Sequence, residues 1–203
     1  EWNEPFAKWF VGGRTNVSYN CLDAHLTTHR RDKKAIIWEG EPGDQRTLTY
    51  QQLHTEVCMF ANALKGLGLK PGDVATIYMP MVPEALFAMY ACARIGAVHG
   101  VVFGGFAAKE LATRIDDAKP KLILSASCCI ESARIVHYKP LLDAAIDLAA
   151  HKADACLILQ RPQCEAAMTQ GRDHDWASLR AAAIAAKKSA PCVPVLATDP
   201  LYI

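Results

Sequence analysis

The chain has 203 residues, 51% of them hydrophobic, and a formal net charge of +1. That length and apolar content allow one large buried core, and the near-neutral balance gives no electrostatic argument for nucleic acid or an anionic membrane surface. No apolar run approaches the roughly 20 residues needed to cross a bilayer, and no secretory signal is visible.

Glu1–Gly13 (EWNEPFAKWFVGG) carries Trp2, Phe6, Trp9 and Phe10. Spacings of three and four put Phe6, Trp9 and Phe10 on one face of an expected short helix packed on the domain. Val17–His29 reads as helical, with Leu22 and Leu26 inward. Lys34–Trp38 is a strand, Glu39–Arg46 (EGEPGDQR) a polar turn, and Leu48–Tyr50 the return strand of a hairpin. Thr49 and Gln52 then form a capping-box pattern ahead of a helix with Leu53, Val57, Phe60, Ala61 and Leu64 on one face. Gly66 and Gly68 end that helix, and Lys70-Pro71-Gly72-Asp73 turns into the next strand.

The stretch Val74–Phe106 reads as strand, helix, strand and a double-glycine turn. Val74–Met79 is the first strand; Pro83 suits the first turn of a helix because its missing N–H is not needed there. Leu86, Met89, Tyr90 and Ala93 recur at helical spacing, and Gly96 is the expected C-cap. Val98–Phe103 is the second strand. Helix Ala107–Asp117 follows, with Leu111, Ile115 and Ala118 facing the core. Then come strand Leu122–Ser125, loop Ser127–His137, and helix Pro140–Ala149 with Leu141, Leu142, Ala145, Ile146 and Leu148. Strand Cys156–Leu159, the polar irregular segment Arg161–Arg172 and the alanine-rich helix Trp176–Lys188 complete the pattern. The regular alternation of short apolar strands with helices defines an α/β class, with a mostly parallel sheet flanked by helices. Asp199–Ile203 reads as the opening of a further strand, so the chain is expected to be one part of a larger fold.

The eight cysteines include no C-x-x-C pair and the seven histidines are scattered; reduced thiols in an intracellular protein and no metal ligands are the expectation. No nucleophile elbow, H-E-x-x-H or P-loop is present. Asp116-Asp117, beside Arg114 late in a helix, reads as a solvated helix end. Two loops stand out because both follow strands, and ligands of open parallel sheets gather beyond the carboxyl ends of the strands. The first is Phe103-Gly104-Gly105-Phe106, just before a helix whose N-terminal N–H groups favour anions; a plain tight turn would also use such glycines. The second is Ser127–Arg134, whose one cation, Arg134, is suited to a phosphate or is simply a surface charge.

The segments WEGEPGDQRTLTYQQL, GDVATIYMPMVPEALFAMYACARIGAVHGVVFGGF and RIDDAKPKLILSAS resemble the N-terminal region of the short-chain acyl-CoA synthetases, the acetyl- and propionyl-CoA synthetases of the AMP-forming adenylating superfamily. The likeness runs from about Trp9 to Ile203. Glu131-Ser132-Ala133-Arg134 with IVHYKPLLDAAI, GRDHDW and CVPVLATDPLYI is similar to the propionyl-type members, whereas acetyl-type members tend to have Arg-Gly-Gly-Arg at Glu131–Arg134. The resemblance implies that residues 1–203 are an incomplete N-terminal domain of an adenylate-forming ligase. It implies ATP, Mg2+ and coenzyme A as substrates or cofactors of the longer enzyme, with none held tightly by this chain. Small molecules would be the partners, with no nucleic acid or membrane, in the cytoplasm or the mitochondrial matrix. It places the CoA nucleotide at Phe103, Gly104 and Gly105 and at Glu131, Ser132, Ala133 and Arg134. It carries no catalytic residue onto this chain, because the phosphate loop, the acyl pocket and the catalytic lysine of the C-terminal domain have no counterpart in these residues. Acetate–CoA ligase and a non-catalytic CoA- or nucleotide-binding module are the rival readings. A doubly wound dehydrogenase is set aside for want of a G-x-G-x-x-G after a strand.

Overall fold

The computed structural model describes residues 2–132 and 134–203. Its frame is a five-stranded sheet, parallel throughout. A hairpin of β1 (Lys34–Glu39) and β2 (Gln45–Thr49) precedes α1 (Tyr50–Gly66). Next come β3 (Val74–Tyr78), α2 (Pro83–Ile95), β4 (Val98–Val101), α3 (Ala108–Ala118) and β5 (Leu122–Ala126). A second hairpin pairs β6 (Cys128–Glu131) with β7 (Arg134–His137) and leads into α4 (Tyr138–Leu148). Strand β8 (Ala155–Leu159), strand β9 (Asp173–Asp175) and helix α5 (Trp176–Ala186) complete the set. The sheet order is β9-β8-β5-β3-β4.

The core divides by the pleat. Ala75, Ile77, Leu122, Leu124 and Leu157 face one layer, with Phe60 of α1, Phe87 of α2 and Trp176 of α5. Tyr78, Ile123, Cys156 and Ile158, their alternate neighbours, face Leu111 of α3 and Leu142 of α4. Strands covered on both faces need apolar residues at every position, which is why they read as continuous runs. Phe60 and Trp176 stack at 4.0 Å, fixing α5 against α1. Thr49 accepts from the Gln52 N–H and the Gln52 side chain accepts from the Thr49 N–H, so the capping box stands. Pro83 opens α2 and Gly96 caps it at φ 75°.

Several sequence expectations are corrected. The aromatic N-terminus forms no helix: Trp2–Asn3 pairs antiparallel with Phe6–Ala7, and Phe6, Trp9 and Phe10 are exposed. Pro5 interrupts that segment, and Gly12 adopts a positive φ beyond it. Val17–His29 is helical as expected over residues 17–26, its middle Tyr19–Asp23 wound as a π-helix, and stops short of His29; Leu22 is buried, Leu26 only half so. The segment expected as a loop from Ser127 holds the β6–β7 hairpin, with Ile130 opposite Ile135 and Cys129 opposite Val136. Ile130, Ile135 and Val136 are β-branched and favour strand, and Ser132 takes the positive φ of the turn. Leu86, Met89 and Tyr90 are the half-buried side of α2; Ala85, Phe87, Ala88, Ala91 and Cys92 are its core face. Leu148 is exposed at the end of α4. Tyr202 bridges His99 in parallel, extending the sheet beyond β4.

Candidate functional site

Chain direction along the sheet reverses between β3 and β5. From β3 the chain crosses outward to β4, then back over β3 to β5, β8 and β9. Loops leaving the carboxyl ends of β3 and β5 therefore part company, and a crevice opens between them. A cleft of about 360 Å3 occupies this place. Its walls are Met79–Val82 after β3, Val101–Gly105 after β4, Cys129–Glu131 of the second hairpin, Glu39–Pro42 of the first hairpin turn, and Arg161 just past β8. Trp38 joins the first hairpin to the sheet by donating its indole N–H to the Met81 carbonyl at 2.8 Å.

The glycine loop is shaped by two tyrosines. Tyr78 ends β3 and Tyr138 begins α4; their rings stack at 4.9 Å. The Tyr78 hydroxyl donates to the carbonyls of Gly104 and Phe106, each at 3.2 Å. Tyr138 lies so close beneath Gly104 that a Cβ there would overlap its hydroxyl and stand 2.5 Å from Cζ. Burial raises the pKa of both phenols, so both stay neutral hydrogen-bonding groups. Phe103 projects from the loop, 71% exposed, and meets Phe106 edge to face at 5.8 Å. Helix α3 starts at Ala108 and its N-cap, Ala107, provides no side-chain cap.

Of the residues expected to contact a nucleotide, Phe103, Gly104, Gly105 and Glu131 line this one cleft. Ser132 and Arg134 stand at the hairpin turn beside it. The Arg134 side chain is 76% exposed, and its nearest carboxylate, Glu131, is 4.0 Å away. Ala133 lies outside the described residues. Sequence reasoning missed Tyr78 and Tyr138, the Glu39–Pro42 turn and Arg161. Tyr78 was submerged in an apolar strand; the turn and Arg161 are distant in sequence from the loops they face.

Ser127 ties the ends of β5 and β8 together. Its N–H donates to the Leu159 carbonyl at 2.9 Å, its hydroxyl accepts from the Arg161 N–H at 2.8 Å, and its carbonyl accepts from Tyr138 N–H at 3.1 Å. Behind α4, Lys139 is buried between Asp143 (2.7 Å) and Asp173 (2.9 Å), while Arg172 reaches Asp173 at 2.7 Å and also pairs with Asp143. The GRDHDW stretch thus locks β9 to α4 and does not enter the cleft.

A larger cavity, about 760 Å3, lies between α1 and α5, away from the glycine loop. Its charged floor is internally satisfied: Arg94 makes two bonds to Asp23, at 2.7 and 2.8 Å, and contacts His54 at 3.2 Å. Burial would raise Asp23, but the Arg94 bonds and charge hold it below the usual carboxylate range; burial, aided by Arg94, lowers His54. All eight cysteines are free thiols. Burial pushes Cys92 and Cys156 up to about 12, far from a reactive thiolate. Among the described residues, no group of three or more His, Cys, Asp or Glu is placed to hold a metal ion, and no helix is long and apolar enough to cross a membrane.

This cleft lies at the switch point of a parallel α/β sheet under a double-glycine loop, the place where open α/β folds of this class bind their ligands. The chain belongs to the AMP-binding enzyme family, which it matches over residues 22–203. Residues 1–21 match a second family, described as the acetyl-coenzyme A synthetase N-terminus. An uncharacterized protein of Pseudomonas aeruginosa is 49% identical over 197 residues, 97% of this chain and 31% of that protein. The rat mitochondrial acyl-CoA synthetase short-chain family member 3 is 46% identical over 201 residues, covering 98% of this chain and 29% of its own. An acetyl-coenzyme A synthetase of Chlorobaculum tepidum is 46% identical over 184 residues, 91% of this chain and 28% of that enzyme. The chain therefore spans about three tenths of the length of these relatives.

Proposed function

We propose that this chain is part of the N-terminal domain of an AMP-forming ligase that activates a short-chain carboxylic acid, propionate, to its acyl-CoA. In this reading the carboxylate attacks the α-phosphate of ATP, forming the acyl-adenylate and releasing pyrophosphate. The CoA thiol then attacks the acyl carbonyl and expels AMP. Family membership over residues 22–203 carries the class of reaction. What supports a role for this chain in the second step is one geometric fact: Phe103–Gly105 and Glu131, remote in sequence, share one cleft at the carboxyl edge of the sheet. There a nucleotide could lie against glycine backbone and stack on exposed Phe103, with Ser132 and Arg134 at the rim. Catalysis would rest on positioning and on stabilising phosphate charge. No residue here is assigned to Mg2+ or given a catalytic role. Being about three tenths as long as its relatives, the chain alone is expected to be inactive; activity belongs to the longer protein. The reading carries an intracellular location, cytoplasm or mitochondrial matrix, and small-molecule partners.

The choice of propionate rests on Glu131–Arg134, where acetyl-type members tend to have Arg-Gly-Gly-Arg. Acetate is the second reading, favoured by the match of residues 1–21 to the acetyl-coenzyme A synthetase N-terminus. One methylene in an apolar pocket is worth about 1–3 kcal/mol, so the two acids should differ measurably. The deciding experiment is acid-dependent ATP–pyrophosphate exchange by the full-length protein with acetate, propionate and butyrate. Propionate preference is the expected result, and acetate preference replaces the acid but keeps the chemistry. No exchange with any of the three would turn the reading to another acid or to a non-catalytic CoA- or nucleotide-binding module.

A further inference from the structure

The cation that Arg134 was expected to supply is at the surface, whereas a buried one faces the same cleft. Arg161 is only 8% exposed and lines both the 360 Å3 cleft and the adjoining one beneath the first hairpin. A guanidinium has five N–H donors. Among the described residues, the side chain of Arg161 makes one hydrogen bond, from Nη1 to the Cys128 carbonyl at 3.4 Å, and takes part in none of the arginine ion pairs, which belong to Arg46, Arg94, Arg134, Arg172 and Arg180. Arg94, the other buried arginine among the described residues, is treated differently: it has a bidentate carboxylate partner. The remaining guanidinium N–H groups of Arg161 are not among the buried atoms without a partner; they open onto the cleft, where an anion could take them up through charge-assisted hydrogen bonds.

The position is rigid as well as charged. Arg161 stands two residues past the end of β8, its N–H is held by the Ser127 hydroxyl at 2.8 Å, and its carbonyl accepts from the Cys164 N–H at 3.2 Å. A binding group fixed to the end of a central strand is better oriented than one on a hairpin tip. Glu131 faces the same space, and Glu39 and Glu41 stand exposed at the mouth; as acceptors they suit ribose hydroxyls or an amino group and repel a misplaced phosphate.

We infer that Arg161 binds a phosphate of the CoA nucleotide from the floor of the cleft, taking the part assigned by sequence to Arg134. This rests on the ligase reading above. It is tested in the full-length protein by measuring KM for CoA and, separately, KM for ATP in the CoA-independent exchange reaction. Arg161→Met, which keeps the apolar stem, is expected to raise KM for CoA tenfold or more while KM for ATP moves less than twofold. Arg161→Lys, a point charge without the fork, is expected to fall between. Dephospho-CoA sorts the two phosphate positions: if the 3′-phosphate is the partner, Arg161→Met no longer distinguishes CoA from dephospho-CoA. If the diphosphate is the partner, the variant discriminates as the wild type does. CoA should also raise the thermal midpoint of Arg161→Lys less than that of the wild type, a readout that stands even if Arg161→Met does not fold. An unchanged KM for CoA in folded Arg161→Met, or parallel loss of both half-reactions, overturns the assignment of Arg161 alone. Absence of exchange by the wild type with every short-chain acid tried overturns the ligase reading beneath it.

Discussion

The Tyr138 side chain occupies the space into which a Cβ on residue 104 would project. Gly104 is therefore required by contact rather than by backbone angle: its φ is not positive, but the phenol Cζ would be 2.5 Å from the added carbon. Gly104→Ala must lift the loop or push Tyr138 off Tyr78, and overpacking of this kind costs about 1–3 kcal/mol. Equilibrium urea unfolding should show that loss. In a Tyr138→Ala background the same substitution should cost much less, since the obstacle is gone; equal costs in both backgrounds would refute the contact argument.

Thr49→Ala removes the hydroxyl that accepts from the Gln52 N–H at 3.2 Å and breaks the reciprocal bond pair at the start of α1. A loss of about 1 kcal/mol is expected, with the urea midpoint lowered and its slope unchanged. Thr49→Ser, which keeps the acceptor, should recover most of it.

The frame of the sheet was legible because both faces are buried: runs such as Val74–Tyr78 and Leu122–Ala126 declare themselves without alternation. Caps were legible for the same local reason, Thr49 with Gln52 and Gly96 after α2. Failures came where local pattern competes with partners far along the chain. Phe6, Trp9 and Phe10 have helical spacing but no buried surface to meet, so spacing alone formed nothing. The β6–β7 hairpin is four residues a side with a serine at positive φ in its turn, a signal too short to separate from a loop. In the cleft, the glycine loop was readable from composition. Tyr138, Arg161 and the Glu39–Pro42 turn were not, since only the strand order brings them to it.

Asp23 supplies the carboxylate for buried Arg94, whose side chain is 3% exposed. Arg94 also donates to Ser18 Oγ and to the Ala190 carbonyl, so one guanidinium joins the N-terminal turn, α2 and the segment after α5. Removing one partner of a buried pair strands the other charge, and Asp23→Ala is expected to cost about 3–5 kcal/mol. The double variant Asp23→Leu/Arg94→Met should lose less than Asp23→Ala alone. Thermal unfolding of the three proteins at one pH measures the difference, and a double variant weaker than the single one would contradict it.

Asp173 gives the fold a defined acid limit. Burial alone would raise its pKa, but bonds from Arg172 and Lys139 pull it from 3.8 down to about 2. A carboxyl depressed in the folded state stabilises that state above its unfolded pKa, and the contribution fades as pH falls through the folded value. The stabilisation is thus complete above about pH 4 and lost on approaching pH 2. Asp173→Asn removes a charge facing Lys139 and Arg172, and its deficit relative to the wild type should be constant from neutrality down to about pH 4, then shrink towards pH 2. Urea midpoints of both proteins across that range are the measurement. A deficit that instead stays constant to the lowest pH would mean that shape and hydrogen bonding at residue 173, not its charge, hold β9 to α4.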